Sequence, residues 1–285
     1  MITGKIGKSI NLNGSLINLS EPLVMGIINV TPDSFYEKSR VQTSDNILAI
    51  VENMIFEGAN IIDIGAVSSR PGAKLINENE EIDRLFPLLE SIRMHFPDIY
   101  LSVDTFRASV ARKAVENYKV AIINDISGGL LDAAMLETIG QLKVVYILMH
   151  MRGTPENMQQ HTQYNNILHE LFLYFSGQLH KARSFGINDI IIDPGFGFGK
   201  TLEQNYFILN NLRELEIFNV PVLVGVSRKS MIYKLLNTIP EQSLQGTTAL
   251  HMAALINGAR ILRVHDVKPA VEVVKLYKQL INKEI

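Results

Sequence analysis

Short β-rich apolar runs alternate with longer stretches of helical period along most of the chain. The runs occupy residues 24–29, 61–64, 100–103, 121–124, 144–149, 190–192, 221–224 and 260–264, which makes eight candidate strands. Between them lie helical patterns such as 47–57, 78–95, 167–185 and 246–257. A last pattern covers 269–282, where Val271, Val274, Leu276 and Leu280 suit one face. Alternation of this kind implies a parallel sheet covered by helices. Eight such units over about 250 residues match a (β/α)8 TIM barrel, with a doubly wound open sheet as the rival. Ahead of the first strand, residues 9–12 and 15–17 flank Asn13-Gly14, a two-residue hairpin signal. This N-terminal β-hairpin, within an extension over 1–20, is expected to plug the N-terminal end of the barrel. No Pro/Ser-rich linker interrupts the pattern, so a single domain over 1–285 is expected.

Composition narrows the function without naming it. Hydrophobic residues make up 47% and charged ones 20% of the 285, the balance of an ordinary globular enzyme. A net charge of −2 without a basic tail argues against nucleic acid as a main partner. With no cysteine there is neither a disulfide framework nor a thiolate nucleophile or metal site. The first residues lack the apolar core of a signal peptide, and no apolar run approaches the length of a membrane span. A cytoplasmic location is the resulting expectation.

Barrels of this type build their sites at the C-terminal strand ends, and here all eight ends are polar. In order they carry Asn29, Asp63, Asp104, Asn124-Asp125, His150, Asp193, the Gly225–Ser230 loop, and Arg263 with His265. A single polar strand end often only caps a helix or satisfies a turn. A ring of Asp63, Asp104, Asn124 and Asp193 facing the cations Lys229 and Arg263 is different, because so many polar groups at one mouth need partners. Carboxylates and an amide suit a heterocycle with adjacent N–H donors, while Arg and Lys suit phosphate oxygens or a ring face. The sixth end reads DPGFGFGK over 193–200: its glycines let backbone approach a flat ring, and Phe198 supplies an apolar wall. The expected ligand is thus a heterocycle carrying an anionic group. Neither GxxxxGK[ST] nor GxGxxG is present, so a nucleotide is not favoured. Without HxH or HExxH spacing a protein-ligated metal cage is not favoured either. A Mg2+ held by ligand oxygens, water and one protein oxygen fits better.

Taken together, MGIINVTPDSF (25–35), SRPGA (69–73), SVDT (102–105), IND (123–125), LMHM (148–151), DPGFGFGK (193–200), GVSRKS (225–230) and RVHDV (263–267) resemble the dihydropteroate synthase family, in the family's order. The resemblance implies condensation of 6-hydroxymethyl-7,8-dihydropterin diphosphate with 4-aminobenzoate, giving 7,8-dihydropteroate and diphosphate. It implies a catalytic set of Asp33, Lys229, Arg263 and His265. Asp104, Asn124, Asp193 and Lys229 fall at its pterin pocket, with Arg263 over the ring and Phe198 lining the pocket, and Asp63, Met149 and Gly225 count among its substrate-binding residues. Asn29, Arg263 and His265 fall at its diphosphate site, Asn29 as protein ligand to Mg2+, while Ser69 matches its hydroxyl contact to the diphosphate-bearing substrate and Arg70 follows in the second loop. Phe35 and Pro71 would pack on the aminobenzoate ring, whose carboxylate would meet Ser230 at the start of a helix. Diphosphate would leave first, and Asp33 would stabilise the pterin-methylene cation. The resemblance also implies a homodimer and competition by sulfonamides.

The sequence departs from the family pattern in two loops. Many members have Gly-Gly-Glu-Ser-Thr-Arg where this chain has Gly65-Ala66-Val67-Ser68-Ser69-Arg70, so Val67 replaces a glutamate. Tyr36-Glu37-Lys38-Ser39 replaces a glycine-containing stretch, which predicts a stiffer first loop. Two other readings stay open at this level: a methyltransferase-type pterin-binding barrel and a catalytically silent binding barrel. Several residues read as structural. Lys200 is expected to be structural, paired with a nearby carboxylate or solvated, Arg228 to pair with a carboxylate, and Gly246-Thr247-Thr248 to cap the next helix. His161, His169 and His180 are expected at the surface, and His150 and Met151 at the pocket wall.

Overall fold

The computed structural model describes residues 9–30, 40–67, 72 and 75–281, and the side chains of 40–45 are not among its described features. The hairpin forms as β1 (Ser9–Leu12) and β2 (Ser15–Asn18), paired antiparallel with Leu12 opposite Ser15. Asn13 and Gly14 have φ of 50° and 89°, the two left-handed residues that a tight hairpin turn matching strand twist requires.

Eight parallel strands follow: β3 (Leu23–Asn29), β4 (Ile61–Gly65), β5 (Tyr100–Asp104), β6 (Ile122–Asp125), β7 (Val145–Met149), β8 (Ile190–Asp193), β9 (Leu223–Val224) and β10 (Ile261–Val264). The pairing order is β8-β7-β6-β5-β4-β3-β10-β9. A parallel bridge between Ile192 and Val222 then joins β8 to the chain entering β9, with Ile192 N–H donating to Pro221 O at 2.9 Å. Chain order therefore runs around a closed circle, which excludes the open doubly wound sheet. The seventh strand is shorter than the apolar run predicts, because Pro221 has no N–H to give a ladder.

The helices are α1 (Arg40–Glu57), α2 (Glu78–His95), α3 (Ala108–Tyr118), α4 (Met135–Leu142), α5 (Ile167–Ser184), α6 (Leu202–Asn210), α7 (Ser230–Tyr233), α8 (Leu244–Ile256) and α9 (Val267–Ile281). None among the described residues is long and apolar enough to cross a membrane. Helix α2 starts where Asn77 accepts from Glu80 N–H and carries Glu78, Glu80 and Glu81 in its first turn, which complements the helix dipole. Helix α8 begins two residues before the predicted start, so Gly246-Thr247-Thr248 lies inside its first turns rather than capping it. The glycine serves close packing instead: a Cβ there would meet Ile232 Cγ2 at 2.5 Å.

Strand alternation sends side chains to two cores. One lies between strands and helices, where Ile62, Ile64, Ile123, Leu148 and Leu262 meet residues such as Leu85, Leu89 and Phe175. The other fills the barrel and includes Met25, Ile61, Ile122, Ile147, Ile191 and Ile261. Ile10 and Leu12 of the hairpin belong to this inner core, at 1% and 0% exposure. Asn11 N–H donates to Asp189 Oδ1 and Asn13 Nδ2 to Lys119 O, both at 3.0 Å. The hairpin thus plugs the N-terminal end, and the C-terminal end is left for the site.

Candidate active site

One pleat above the inner apolar layer, the same strands turn polar. Asp63 follows Ile61 by two residues on β4, Asn124 follows Ile122 on β6, Asp193 follows Ile191 on β8, and Arg263 follows Ile261 on β10. Side chains two apart share a face, so these groups enter the barrel while their neighbours leave it. Asp125 illustrates the other parity. It is buried and fully bonded, to Ser127 N–H and Oγ–H, Gly129 N–H and the Tyr146 hydroxyl, at 2.7–2.8 Å.

Arg263 is the hub of the mouth. Its Nε donates to Asp63 Oδ2 at 2.6 Å and its Nη2 to Asp104 Oδ2 at 2.9 Å. Asn124 Nδ2 donates to Asp63 Oδ2 at 3.1 Å. Among the described residues Asp63 Oδ1 and the Ser102 hydroxyl are buried without a partner. Burial raises the Asp104 carboxyl to about 7, against the pull of Arg263 and with the help of Asp63. Such a group can carry a proton at neutral pH and offer either a donor or an acceptor.

On the opposite side Asp193 is held by Gly195 N–H, which donates to its Oδ1 at 2.7 Å. Burial raises its pKa too, opposed first by Lys229. Lys229 donates to Phe196 O, and its Nζ lies 4.7 Å from the centre of the Phe198 ring. Burial brings this ammonium down to about 8, with Asp193 acting to raise it. Gly195, Gly197 and Gly199 all have left-handed φ, of 70°, 81° and 61°. At Gly195 a Cβ would strike His150 O at 2.1 Å, so the loop can lie this close only as glycine.

An apolar wall completes the pocket: Val67, Phe106, Ile126, Met149, Met151, Met158 and Phe198 form one buried cluster. Val67, from the second-loop departure, packs here. His150 departs from the expectation of a pocket wall. Its ring lies edge-on to Tyr174 of α5 at 4.8 Å and 3.1 Å from Lys200 Nζ, because it follows Met149 on the other strand parity. Asn29 ends β3 exposed beside the mouth. His265 is exposed as well. Its backbone N–H donates to Ser227 Oγ, and Nδ1 also lies 3.2 Å from that hydroxyl. Gly225 leaves ordinary contact space beside Arg263, whose Cβ would be 3.8 Å away from a Cβ there. Ser230 opens α7, which is a single turn of four residues. Asp33, Phe35, Ser69, Arg70 and Pro71 lie outside the described residues.

The supporting residues divide in the same way. Arg228 pairs with both carboxylate oxygens of Asp266 at 2.7 and 2.8 Å, as its position beside Lys229 suggests. His161, His169 and His180 are exposed. The sequence reading missed Asn205, Ser102 and the Glu81–Arg107 pair, of which Glu81 is completely buried. A polar residue at an inward strand position, as Ser102 is, was the available signal for one of them.

Comparison with known proteins bears on this geometry. The pattern of the family described as "Pterin binding enzyme" matches residues 25–265. Dihydropteroate synthase from Escherichia coli (strain K12) is 41% identical over 273 residues, spanning 94% of this chain and 95% of that protein. The Synechocystis sp. protein of the same name is 41% identical over 256 residues, spanning 89% and 88%. The crystal structure of the Yersinia pestis dihydropteroate synthase with a sulfonamide drug complex superposes with a TM-score of 0.89 at 40% identity, over 95% of this chain and 98% of that one. Xanthomonas albilineans dihydropteroate synthase with 4-aminobenzoic acid gives 0.90 at 34% identity, over 98% and 100%.

Proposed function

The chain belongs to the pterin-binding enzymes and has dihydropteroate synthase function, a transferase activity, and from that premise we propose how its residues divide the work. The carrying observation is the pair of inward carboxylates, Asp63 and Asp104, shared by Arg263 and faced across the barrel by Asp193 and Lys229. Asp193 accepts from the 2-amino group and N3–H of the pterin. Asn124 and Asp104 address its other nitrogen edge. Lys229 reaches the ring carbonyl and N5. Arg263 covers one face, while Met149 and Phe198 form the apolar wall. Asp63 accepts from the Arg263 and Asn124 side chains and fixes them at the mouth.

Asn29, Arg263 and His265 receive the diphosphate. His265, exposed at the rim with its ring beside Ser227, offers its imidazole to the anion next to the Arg263 guanidinium. Among the described residues no group of three or more His, Asp or Glu could hold a metal ion. One neutral carboxamide oxygen, from Asn29, fits a Mg2+ that takes its remaining ligands from diphosphate and water. The ion would offset charge on the departing diphosphate.

The methylene C–O bond breaks with its electron pair leaving on diphosphate. The amine nitrogen of 4-aminobenzoate then donates its lone pair to the methylene carbon and loses a proton. Asp33 would stabilise the cation, Phe35 and Pro71 would pack on the aminobenzoate ring, whose carboxylate would meet Ser230, and Ser69, followed by Arg70 in the second loop, would contact the diphosphate-bearing substrate. Gly225 leaves room beside Arg263 for the ring. This is catalysis by charge stabilisation and positioning, with no covalent nucleophile. Sulfonamides, one of which is bound to the Yersinia pestis protein named above, would compete for the aminobenzoate place. A homodimer is part of the same proposal. Small charged substrates suit a cytoplasmic enzyme.

The test is diphosphate release by purified protein with Mg2+ and the dihydropterin diphosphate, with and without 4-aminobenzoate. Aminobenzoate-dependent formation of dihydropteroate, abolished by EDTA, is the expected result. Tight pterin binding without condensation would instead identify a silent binding barrel.

A further inference from the structure

The glycine loop between β8 and α6 is gripped from behind by two buried polar side chains that play no part in the chemistry described above. Lys200, 4% exposed, donates through Nζ to Gly195 O and Phe198 O, each at 2.9 Å. The same ammonium lies 3.1 Å from His150 Nδ1 and 3.3 Å from His150 O, so it ties this loop to the one that follows β7. Asn205, 3% exposed in α6, accepts from Gly197 N–H at 2.7 Å through Oδ1. Its Nδ2 donates to Thr201 O at 2.6 Å and to Lys200 O at 3.4 Å. One residue thus holds carbonyls of the loop and the other holds an amide.

A buried ammonium bonded to carbonyls and an imidazole, rather than to a carboxylate, is unfavourable for folding. Desolvation is correspondingly the main influence on Lys200 and brings it down to about 7, with Asp193 opposing. What the arrangement secures is visible on the pocket side of the same loop. Gly195 N–H fixes the Asp193 carboxylate, Phe196 O receives the Lys229 ammonium, and the Phe198 ring packs under that ammonium. Left-handed glycines at 195, 197 and 199 give the loop a geometry that it would abandon readily without external partners.

We propose that Lys200 and Asn205 are positioning residues for the transferase, locking the 195–198 backbone so that Asp193 and Lys229 meet the heterocycle in a single geometry. The proposal rests on the pterin reading of the pocket and deepens it: recognition of the ring depends on a clamp that never touches the ring.

The test uses Lys200→Met, which keeps an unbranched side chain one atom shorter but removes the donors, and Asn205→Ala, which removes no charge and so carries the test if the lysine variant fails to fold. Both would be assayed below their thermal midpoints. KM would be measured for each substrate, and the dihydropterin diphosphate titrated calorimetrically with Mg2+. The expected result is a KM and Kd for the pterin diphosphate raised about 10- to 100-fold, with KM for 4-aminobenzoate changed less than about twofold. Unchanged pterin affinity in a folded variant would overturn the clamp while leaving the pterin pocket intact. An equal rise in both KM values would likewise overturn it, since general loosening does not discriminate between substrates. A wild-type protein that fails to bind the pterin diphosphate would overturn the pocket reading itself, and the clamp with it.

Discussion

The two ends of the barrel are built from the same strands and do opposite things. At the N-terminal end Ile61, Ile122, Ile191 and Ile261 point inward, are fully or almost fully buried, and are sealed by Ile10 and Leu12 of the hairpin. One pleat higher, roughly 6–7 Å along each strand, the inward residues become Asp63, Asn124, Asp193 and Arg263. The lower layer is satisfied by contact alone. Among the described residues the upper layer is only partly satisfied, with Asp63 Oδ1 and Ser102 Oγ left unpaired and the Asp104 carboxyl raised by burial. A floor that needs nothing more supports a mouth that still lacks partners, and that difference marks where a ligand belongs.

The comparison can be broken most severely at its hub. Replacing Arg263 by Ala strands two carboxylates in the mouth, one of them fully buried. The expected outcome is a stability loss of about 3–5 kcal/mol together with at least about a hundredfold loss of turnover, read by urea unfolding and by dihydropteroate formation. A mutant that keeps wild-type stability would show that the ion pairs are not what holds the mouth together.

The floor should respond differently. Leu12→Ala opens a cavity in the inner core, where the side chain is 0% exposed. A loss of about 2–5 kcal/mol in urea unfolding is expected, with pterin affinity within about twofold of wild type. Weakened pterin binding at assay temperatures where the variant is folded would mean that the two ends are coupled and the separation drawn here is wrong.

A subtler effect separates the ends by pH. The Asp104 carboxyl is raised in the folded state from 3.8 to about 7, chiefly by burial. Its folded form therefore binds protons more tightly than the unfolded chain does. The stability this contributes is present in full below about 4 and is lost as pH rises through about 7. Asp104→Asn should flatten the fall of the thermal midpoint over that window, whereas Leu12→Ala should shift the midpoint without altering its slope. Parallel wild-type and Asp104→Asn profiles would contradict a carboxyl raised in the fold.

The smallest change tests the turn that sets the plug. Gly14 has φ of 89° and open space where a Cβ would go, so Gly14→Ala reports backbone strain alone. About 1–2 kcal/mol should be lost, seen as a lower thermal midpoint with unaltered kinetics. A larger effect would point to contacts beyond the turn.

Much of this architecture was legible because it is local. Short apolar runs fixed the strands to within one residue at each end, apart from β9, which starts two residues late because Pro221 interrupts the ladder. Asn13-Gly14 announced the hairpin, and strand ends announced Asp63, Asp104, Asn124 and Asp193 as a ring. Alternation from Ile122 even separates Asn124, which enters the barrel, from Asp125, which serves the outer layer. The helix-capping reading of Gly246 failed because its true constraint is Ile232 on another helix. His150 was assigned to the pocket by proximity, yet its strand parity turns it to Tyr174 and Lys200.

By itself the sequence determined the alternation, the turn chemistry and the inventory of charges, since each is written within a few neighbouring residues. Which charges meet was decided only when the barrel closed. Arg263 bonds Asp63 and Asp104 across separations of 200 and 159 residues, and Lys200 reaches His150 across 50. No local pattern encodes such pairings, because they follow from which strands become neighbours and which side chains the closed sheet turns inward. The same closure removes water from the mouth, and it is desolvation that gives Asp104, Lys200 and Lys229 proton affinities no isolated segment would have.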